Sequence, residues 1–125
     1  MWGGVFVKET QLLKGVLDGC VLAIIAQKET YGYELVQTLK KKGFTSIVGG
    51  TIYPLLQKLE KQKLIIGVKK ASLDGPDRVY FTLTQDGEKY LAEFLIHWNG
   101  LVGKVNQLLH DVDENLRLEG ETDEE

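Results

Sequence analysis

The sequence predicts a mainly α fold with one small β-hairpin, an α+β arrangement closed by a long terminal helix. Three observations carry that prediction. Apolar residues recur at helical spacing in three separate stretches before residue 63. Between residues 64 and 83 the period drops to two, on either side of a turn-rich segment. From Leu91 to Leu116 an apolar repeat with alternating steps of four and three runs unbroken.

The first helix is expected over about Thr10–Gln27, where Leu13, Val16, Leu17, Cys20, Val21 and Ile24 form one stripe. Gly15 and Gly19 weaken it by roughly 1 kcal/mol each relative to alanine. Thr30 is expected to cap the second helix with its hydroxyl. That helix carries Leu35, Val36 and Leu39 on one face. It ends near Gly43 behind Lys40, Lys41 and Lys42, cations suited to the negative end of a helix dipole. A connection over Phe44–Gly49 leads to a third helix over about Gly50–Gln62, with Ile52, Leu55, Leu56 and Leu59 as its buried face. Pro54 is expected in the first turn of that helix, where a missing N–H costs little.

Leu64, Ile66 and Val68 then alternate with Ile65, Gly67 and Lys69, which predicts a strand. Ser72–Asp77 is dense in turn residues and is expected to form a six-residue loop. A second strand follows, in which Val79, Phe81 and Leu83 alternate with Arg78, Tyr80 and Thr82. Thr84 is expected to cap a final helix reaching about Leu116, and the acidic stretch from Leu118 is expected to be disordered. Three short helices followed by a hairpin form a winged helix-turn-helix. The expected organisation is therefore a winged helix-turn-helix domain over 10–84, a dimerisation helix over 85–117 and an acidic tail over 118–125.

Composition narrows the class. The length of 125 residues suits one domain plus an extended arm. The single cysteine, Cys20, excludes an intramolecular disulfide and fits a reducing compartment. Met1–Val7 has no basic stretch and no long apolar run, so no signal peptide is expected. Val21–Ala26 is far too short to span a bilayer, so no membrane partner is expected and a cytoplasmic location follows. The net charge of −3 is unevenly spread. Residues 1–90 hold 13 Lys and Arg against 9 Asp and Glu, a net +4, whereas residues 91–125 hold 2 against 9, a net −7. A local basic surface matters more for phosphate binding than the chain average.

The third helix has an apolar underside and a polar outer face, a form that enters the major groove of double-stranded DNA. Tyr53 and Gln57 are placed to meet base edges, and Thr51, Lys58 and Lys61 to meet phosphates or bases. Lys69, Lys70 and Arg78 lie at the base of the hairpin, within reach of an adjacent groove or backbone, and Tyr31 is counted with this surface. A core helix with a solvated face gives the same spacing, so a protein-interaction module without DNA binding stands as the alternative. Gly49-Gly50 can bind an anion at the helix start, a role a DNA phosphate fills.

The last helix is more distinctive. Leu91, Leu95, Trp98, Val102, Val105, Leu109, Val112 and Leu116 make a heptad stripe, widened by Phe94, Leu101 and Leu108. A second copy of the chain is the economical cover for it, and a closed homodimer is expected. An intramolecular packing face is the other reading. Trp98 sits in mid-stripe with Gly100 and Gly103 just beyond, so a planar aromatic effector stacked on Trp98 is expected, with Leu12 and Val16 counted as its further contacts. Trp98 as an interface anchor without a ligand is the competing reading. His97 and His110 lie 13 apart with no partner at ligand spacing, so no metal is expected. Without a nucleophile–base pair or a phosphate-binding loop, neither an enzyme nor a cofactor is expected.

Three separated motifs carry a resemblance. They are Thr30-Tyr31-Gly32-Tyr33-Glu34-Leu35, then Gly50-Thr51-Ile52-Tyr53-Pro54-Leu55-Leu56-Gln57-Lys58-Leu59-Glu60, then Gly75-Pro76-Asp77-Arg78-Val79-Tyr80-Phe81-Thr82-Leu83-Thr84-Gln85-Asp86-Gly87. In order and spacing the chain resembles the PadR family of transcriptional repressors over about residues 11–95. The single C-terminal helix is similar to that of its small subgroup. The resemblance implies a homodimer, a wing, and release from operator DNA when an aromatic effector binds. It places Thr51, Tyr53 and Lys58 on the recognition helix and Arg78 in the wing. It also sets Trp98 where multidrug-responsive members carry a tryptophan that stacks on drugs. The chain departs from the family in Asp77 after the wing glycine, in Gly100 and Gly103, and in Lys61-Gln62-Lys63-Leu64, which lacks the usual glycine before the first wing strand.

Overall fold

The computed structural model describes residues 7–124, apart from the side chains of 113 and 117–124. Residues 1–6, most of the stretch read for a signal peptide, and the last residue of the acidic tail lie outside the described residues. The chain runs α1 (Glu9–Leu12), α2 (Leu17–Gln27), β1 (Thr30–Tyr31), α3 (Gly32–Lys41), α4 (Gly49–Lys61), β2 (Ile65–Ser72), β3 (Gly75–Leu83) and α5 (Gln85–Glu124). It divides into two compact units, one ending at Leu91 and one beginning at Ala92.

The N-terminal unit is the expected winged helix-turn-helix, with a core drawn from α2, α3, α4, β2 and β3. Leu22, Leu35, Leu39, Ile52, Leu59, Ile65 and Val21 are its fully buried side chains. Each such side chain contributes about 1.5–3 kcal/mol by leaving water. Ile47, in the connection between α3 and α4, is also buried and fastens that loop beneath the helices.

The expected first helix is two helices. Gly15 takes φ +81°, a left-handed conformation that ends α1 and lets the chain restart at Leu17. The buried stripe of α2 is then Leu17, Val21, Leu22 and Ile25, with Cys20 and Ile24 flanking it. Cys20 is half-buried, and burial raises its thiol pKa, which keeps it in the unreactive thiol form.

Thr30 does not cap α3. It pairs with Phe81 and Tyr31 with Tyr80, so a two-residue strand joins the hairpin in a three-stranded antiparallel sheet of order β1-β3-β2. Tyr31 holds the N-cap position without a side-chain cap, and the buried Thr30 hydroxyl donates instead to Glu34 Oε1 at 2.8 Å. Pro54 lies in the second turn of α4, because that helix starts at Gly49. Its missing N–H removes the helical partner of the Gly50 carbonyl.

The first wing strand turns one of its two faces to the helices. Ile65 is buried while Ile66 and Val68 are half-exposed, since Ile65, Gly67 and Phe81 face the helices. The hairpin turn is tighter than expected. Ser72 pairs with Gly75, leaving Leu73 and Asp74 at the tip, and the register shifts between Lys70 and Ser72.

Thr84 caps α5 as expected. Its hydroxyl oxygen accepts the Gly87 N–H at 3.0 Å, and its O–H donates to the Lys63 carbonyl at 2.6 Å. The Thr84 N–H donates to the Leu64 carbonyl at 3.1 Å. A Cβ at Gly87 would collide with that same Leu64 oxygen, so only glycine fits. The helix continues past Leu116 and through residues 118–124, where composition led to a disordered tail. No helix among the described residues is long and apolar enough to cross a membrane.

Lys63, just after α4, has φ +61°. That conformation costs an L-residue about 1–2 kcal/mol. Lys63→Gly is therefore expected to stabilise the fold by about 0.5–1 kcal/mol, after the entropy glycine returns to the unfolded chain. Lys63→Val is expected to destabilise it by at least about 1 kcal/mol. Urea denaturation checks both, and a glycine variant less stable than the parent refutes the account.

Candidate nucleic-acid interface

The surface of interest is built on α4. Ile52, Leu56 and Leu59 anchor its underside in the core, which turns Thr51, Tyr53, Gln57, Lys58 and Lys61 outward, all exposed. Thirteen residues give the helix a length of about 20 Å, enough to lie across a major groove.

Tyr53 is 49% exposed, yet its ring is held. One edge lies against Gly32 at the start of α3 and the other against Gly49 at the start of α4. A Cβ on Gly32 would collide with the ring, and one on Gly49 would come within 2.9 Å of it. The two glycines make a flat seat for the tyrosine. From there a groove of about 400 Å³ runs between helix and wing, lined by Tyr31, Tyr33, Tyr53, Gln57, Arg78 and Val79 among others. Tyr33, itself exposed, was not singled out from the sequence, although it stands in the Tyr31-Gly32-Tyr33 motif. Leu73 was also missed. It is fully exposed at the hairpin tip, and only the tight turn reveals it.

The wing carries its cations in an ordered way. Lys70 and Arg78 face each other across β2 and β3, a like-charge pair that is unfavourable by itself. Two rings relieve it. Arg78 lies 4.5 Å from the Tyr31 ring centre and Lys70 5.2 Å from that of Tyr80. The two tyrosines meet edge-on with centroids 5.3 Å apart. Lys70 also reaches Glu29 at 2.6 Å. Lys69 pairs with Val79 and points to the opposite face, so the structure groups Arg78 with Lys70 and Tyr31 and not with Lys69. On α4, Lys58 reaches Asp18 of α2 at 2.7 Å. Among the described residues, no ion pair engages Lys61 or Lys69.

The sequence model of the Transcriptional regulator PadR-like family matches residues 21–93, from mid-α2 into α5. The chain belongs to that family. It is similar to a crystal structure of a Streptococcus transcriptional regulator, at 59% identity over 78% of this chain and 96% of that one, with a TM-score of 0.72. It is also similar to a PadR-like transcriptional regulator from Bacillus cereus, at 52% identity over 79% of this chain and 96% of that one, with a TM-score of 0.73. A Bacillus subtilis PadR solved in complex with operator DNA is 26% identical over 65% of this chain and 46% of its own, with a TM-score of 0.60. The family match spans the groove, α4 and the wing.

The C-terminal unit, taken by itself, is helix. Leu95, Trp98, Leu101, Val105, Leu109, Val112 and Leu116 are exposed along it, and Val102 is part-covered. The Phe94 and Trp98 rings are near-parallel, 7° apart in plane with centroids 6.3 Å apart. Leu91 differs from the rest of the heptad stripe, because it leans on the core of the N-terminal unit. Of the other residues counted toward an effector site, Leu12 ends α1 and is exposed, while Val16 packs partly against the N-terminal core. His110 pairs with Glu114 one turn on, at 3.3 Å.

The tyrosine seat makes a testable coupling. Gly32→Ala is expected to destabilise the protein by about 1–2 kcal/mol through overpacking against the Tyr53 ring. In a Tyr53→Ala background the same change should cost little, a coupling of about 1 kcal/mol in a double-mutant cycle read by urea denaturation. Additive effects would mean that the ring does not rest on Gly32.

Proposed function

We propose that this family member is a dimeric DNA-binding repressor, released from its operator by a planar aromatic effector bound at the dimer interface. One observation carries the DNA part. The exposed row Thr51, Tyr53, Gln57, Lys58 and Lys61 stands on a helix anchored from below, beside a wing that presents Lys70 and Arg78. The operator complex of the Bacillus subtilis PadR supports it, since the likeness to this chain covers that fold. In this reading Tyr53 and Gln57 meet base edges in the major groove, and the cations meet phosphates. Tyr31 contributes by holding Arg78 over its ring, and a pseudo-palindromic site matches a two-fold protein.

The exposed apolar row on α5 supports the dimer. A monomer leaves Leu95, Trp98, Val105, Leu109, Val112 and Leu116 in water, whereas a second copy covers the same row on both chains. Trp98 in that row, with Phe94 stacked beside it, offers a flat ring surface to an aromatic effector. A cytoplasmic location accompanies this reading. The net −7 of residues 91–125 favours one alternative, a winged-helix module that binds a protein and no DNA.

Binding to duplex DNA from upstream of the chain's own gene separates the two. The Lys58→Ala, Lys61→Ala double variant is expected to lose about tenfold or more in affinity at moderate salt, with the slope of log K against log salt shallower by about two. Equal binding by parent and variant would remove α4 as the recognition helix.

For the dimer, Val105→Asp with Leu109→Asp is expected to halve the mass measured by sedimentation. Trp98→Ala should keep the mass and abolish fluorescence quenching by planar aromatic compounds. A parent protein that sediments as a monomer, or shows no quenching by any such compound as a dimer, counts against the corresponding half of the reading.

A further inference from the structure

Two of the cations assigned to the DNA face are already occupied. Lys58 of α4 donates to Asp18 Oδ2 at 2.7 Å, and Lys70 of β2 donates to Glu29 Oε1 at 2.6 Å. The partners are 40 and 41 residues apart, so the fold brings them together and helix spacing does not. The partners of the first pair are unequal. Asp18 retains 18% side-chain exposure and Lys58 51%, so the carboxylate is the fixed member and the ammonium the movable one. Asp18 also stands in the first turn of α2, at the positive end of that helix, and keeps that favourable place when the lysine leaves. Lys70 lies over the Tyr80 ring while it holds Glu29. Exposed ion pairs are weak and exchange readily, and a phosphate oxygen offers a lysine the same geometry as a carboxylate oxygen.

We propose that Asp18 and Glu29 are competitors of the DNA backbone, holding Lys58 and Lys70 in the free protein and lowering its attraction for phosphate. The inference rests on the DNA-binding reading above and adds two specificity-determining residues to it. Binding without sequence preference is almost wholly electrostatic. A protein whose phosphate-seeking lysines are half-neutralised depends more heavily on the base contacts of α4. The two carboxylates therefore suppress binding to arbitrary sequence.

The test uses the full-length protein and a fluorescent duplex of arbitrary sequence, titrated by anisotropy over a range of salt. Asp18→Asn and Glu29→Gln are each expected to bind about threefold tighter or more at low salt, with a slope of log K against log salt steeper by up to about one. The gain from Asp18→Asn should vanish in a Lys58→Gln background, and that from Glu29→Gln in a Lys70→Gln background. Circular dichroism checks that all variants keep the parent's helix content. If the parent binds and the variants match it, the competition is absent. If the gains persist in the glutamine backgrounds, they reflect net charge alone and the proposal falls. If the parent binds no duplex even at low salt, the DNA reading falls and takes this proposal with it.

Discussion

A single stretch of backbone, Lys63-Leu64, is where three elements of the chain are joined. It ends α4, starts the wing and seats α5. The Leu64 N–H donates to the Leu59 carbonyl at 3.0 Å and the Lys63 N–H to that of Glu60 at 2.9 Å, which closes the helix. The two carbonyls then turn outward to Thr84, one taking its N–H and the other its hydroxyl. Gly87 lies against the same oxygen with no room for a side chain. Helix ends normally leave carbonyls and N–H groups without partners. Here the two residues that close one helix end also receive the residue that caps the next helix start. Lys63 bears the strain of the sharp turn in its positive φ, and the network around it holds it there.

Electrostatics on the candidate face follows a different rule. The excess of basic residues before residue 90 does not form one open patch. Lys70 and Arg78 oppose each other, each against a tyrosine, and carboxylates from α2 and from the segment just after it reach Lys58 and Lys70. A count of charges along the chain therefore overstates the field a partner meets. The aromatic residues are part of the electrostatics as well as of the packing.

Much of this was legible in the sequence, and the failures have physical causes. Leu35, Val36, Leu39, Ile52, Leu56 and Leu59 were identified as core because helical spacing records which face is buried. The cap at Thr84 was identified because the capping chemistry is local. Strand β1 was missed because two residues carry no periodicity, and their partners, Phe81 and Tyr80, lie far along the chain. The inner face of β2 is not legible, because Leu64 to Val68 is apolar at four of five positions, and only Gly67, packed against Val79 and Phe81, marks that face. Gly15 was read as a weak point inside a helix, when its left-handed conformation ends one. At the candidate site the outward row of α4 followed from its apolar underside. The ion pairs and the grouping of Arg78 with Tyr31 depend on tertiary register, which one sequence does not reveal.

The seat of Tyr53 bears on timing as well as on shape. A half-exposed side chain ordinarily samples several rotamers, and fixing it against a partner costs about 0.5–1.5 kcal/mol. Between Gly32 and Gly49 this ring has given up that freedom during folding. Whatever meets it finds it already in place, so less of the encounter energy goes into ordering the protein. A side chain frozen in advance also tolerates fewer shapes. The two glycines thereby limit the shapes that the ring can fit.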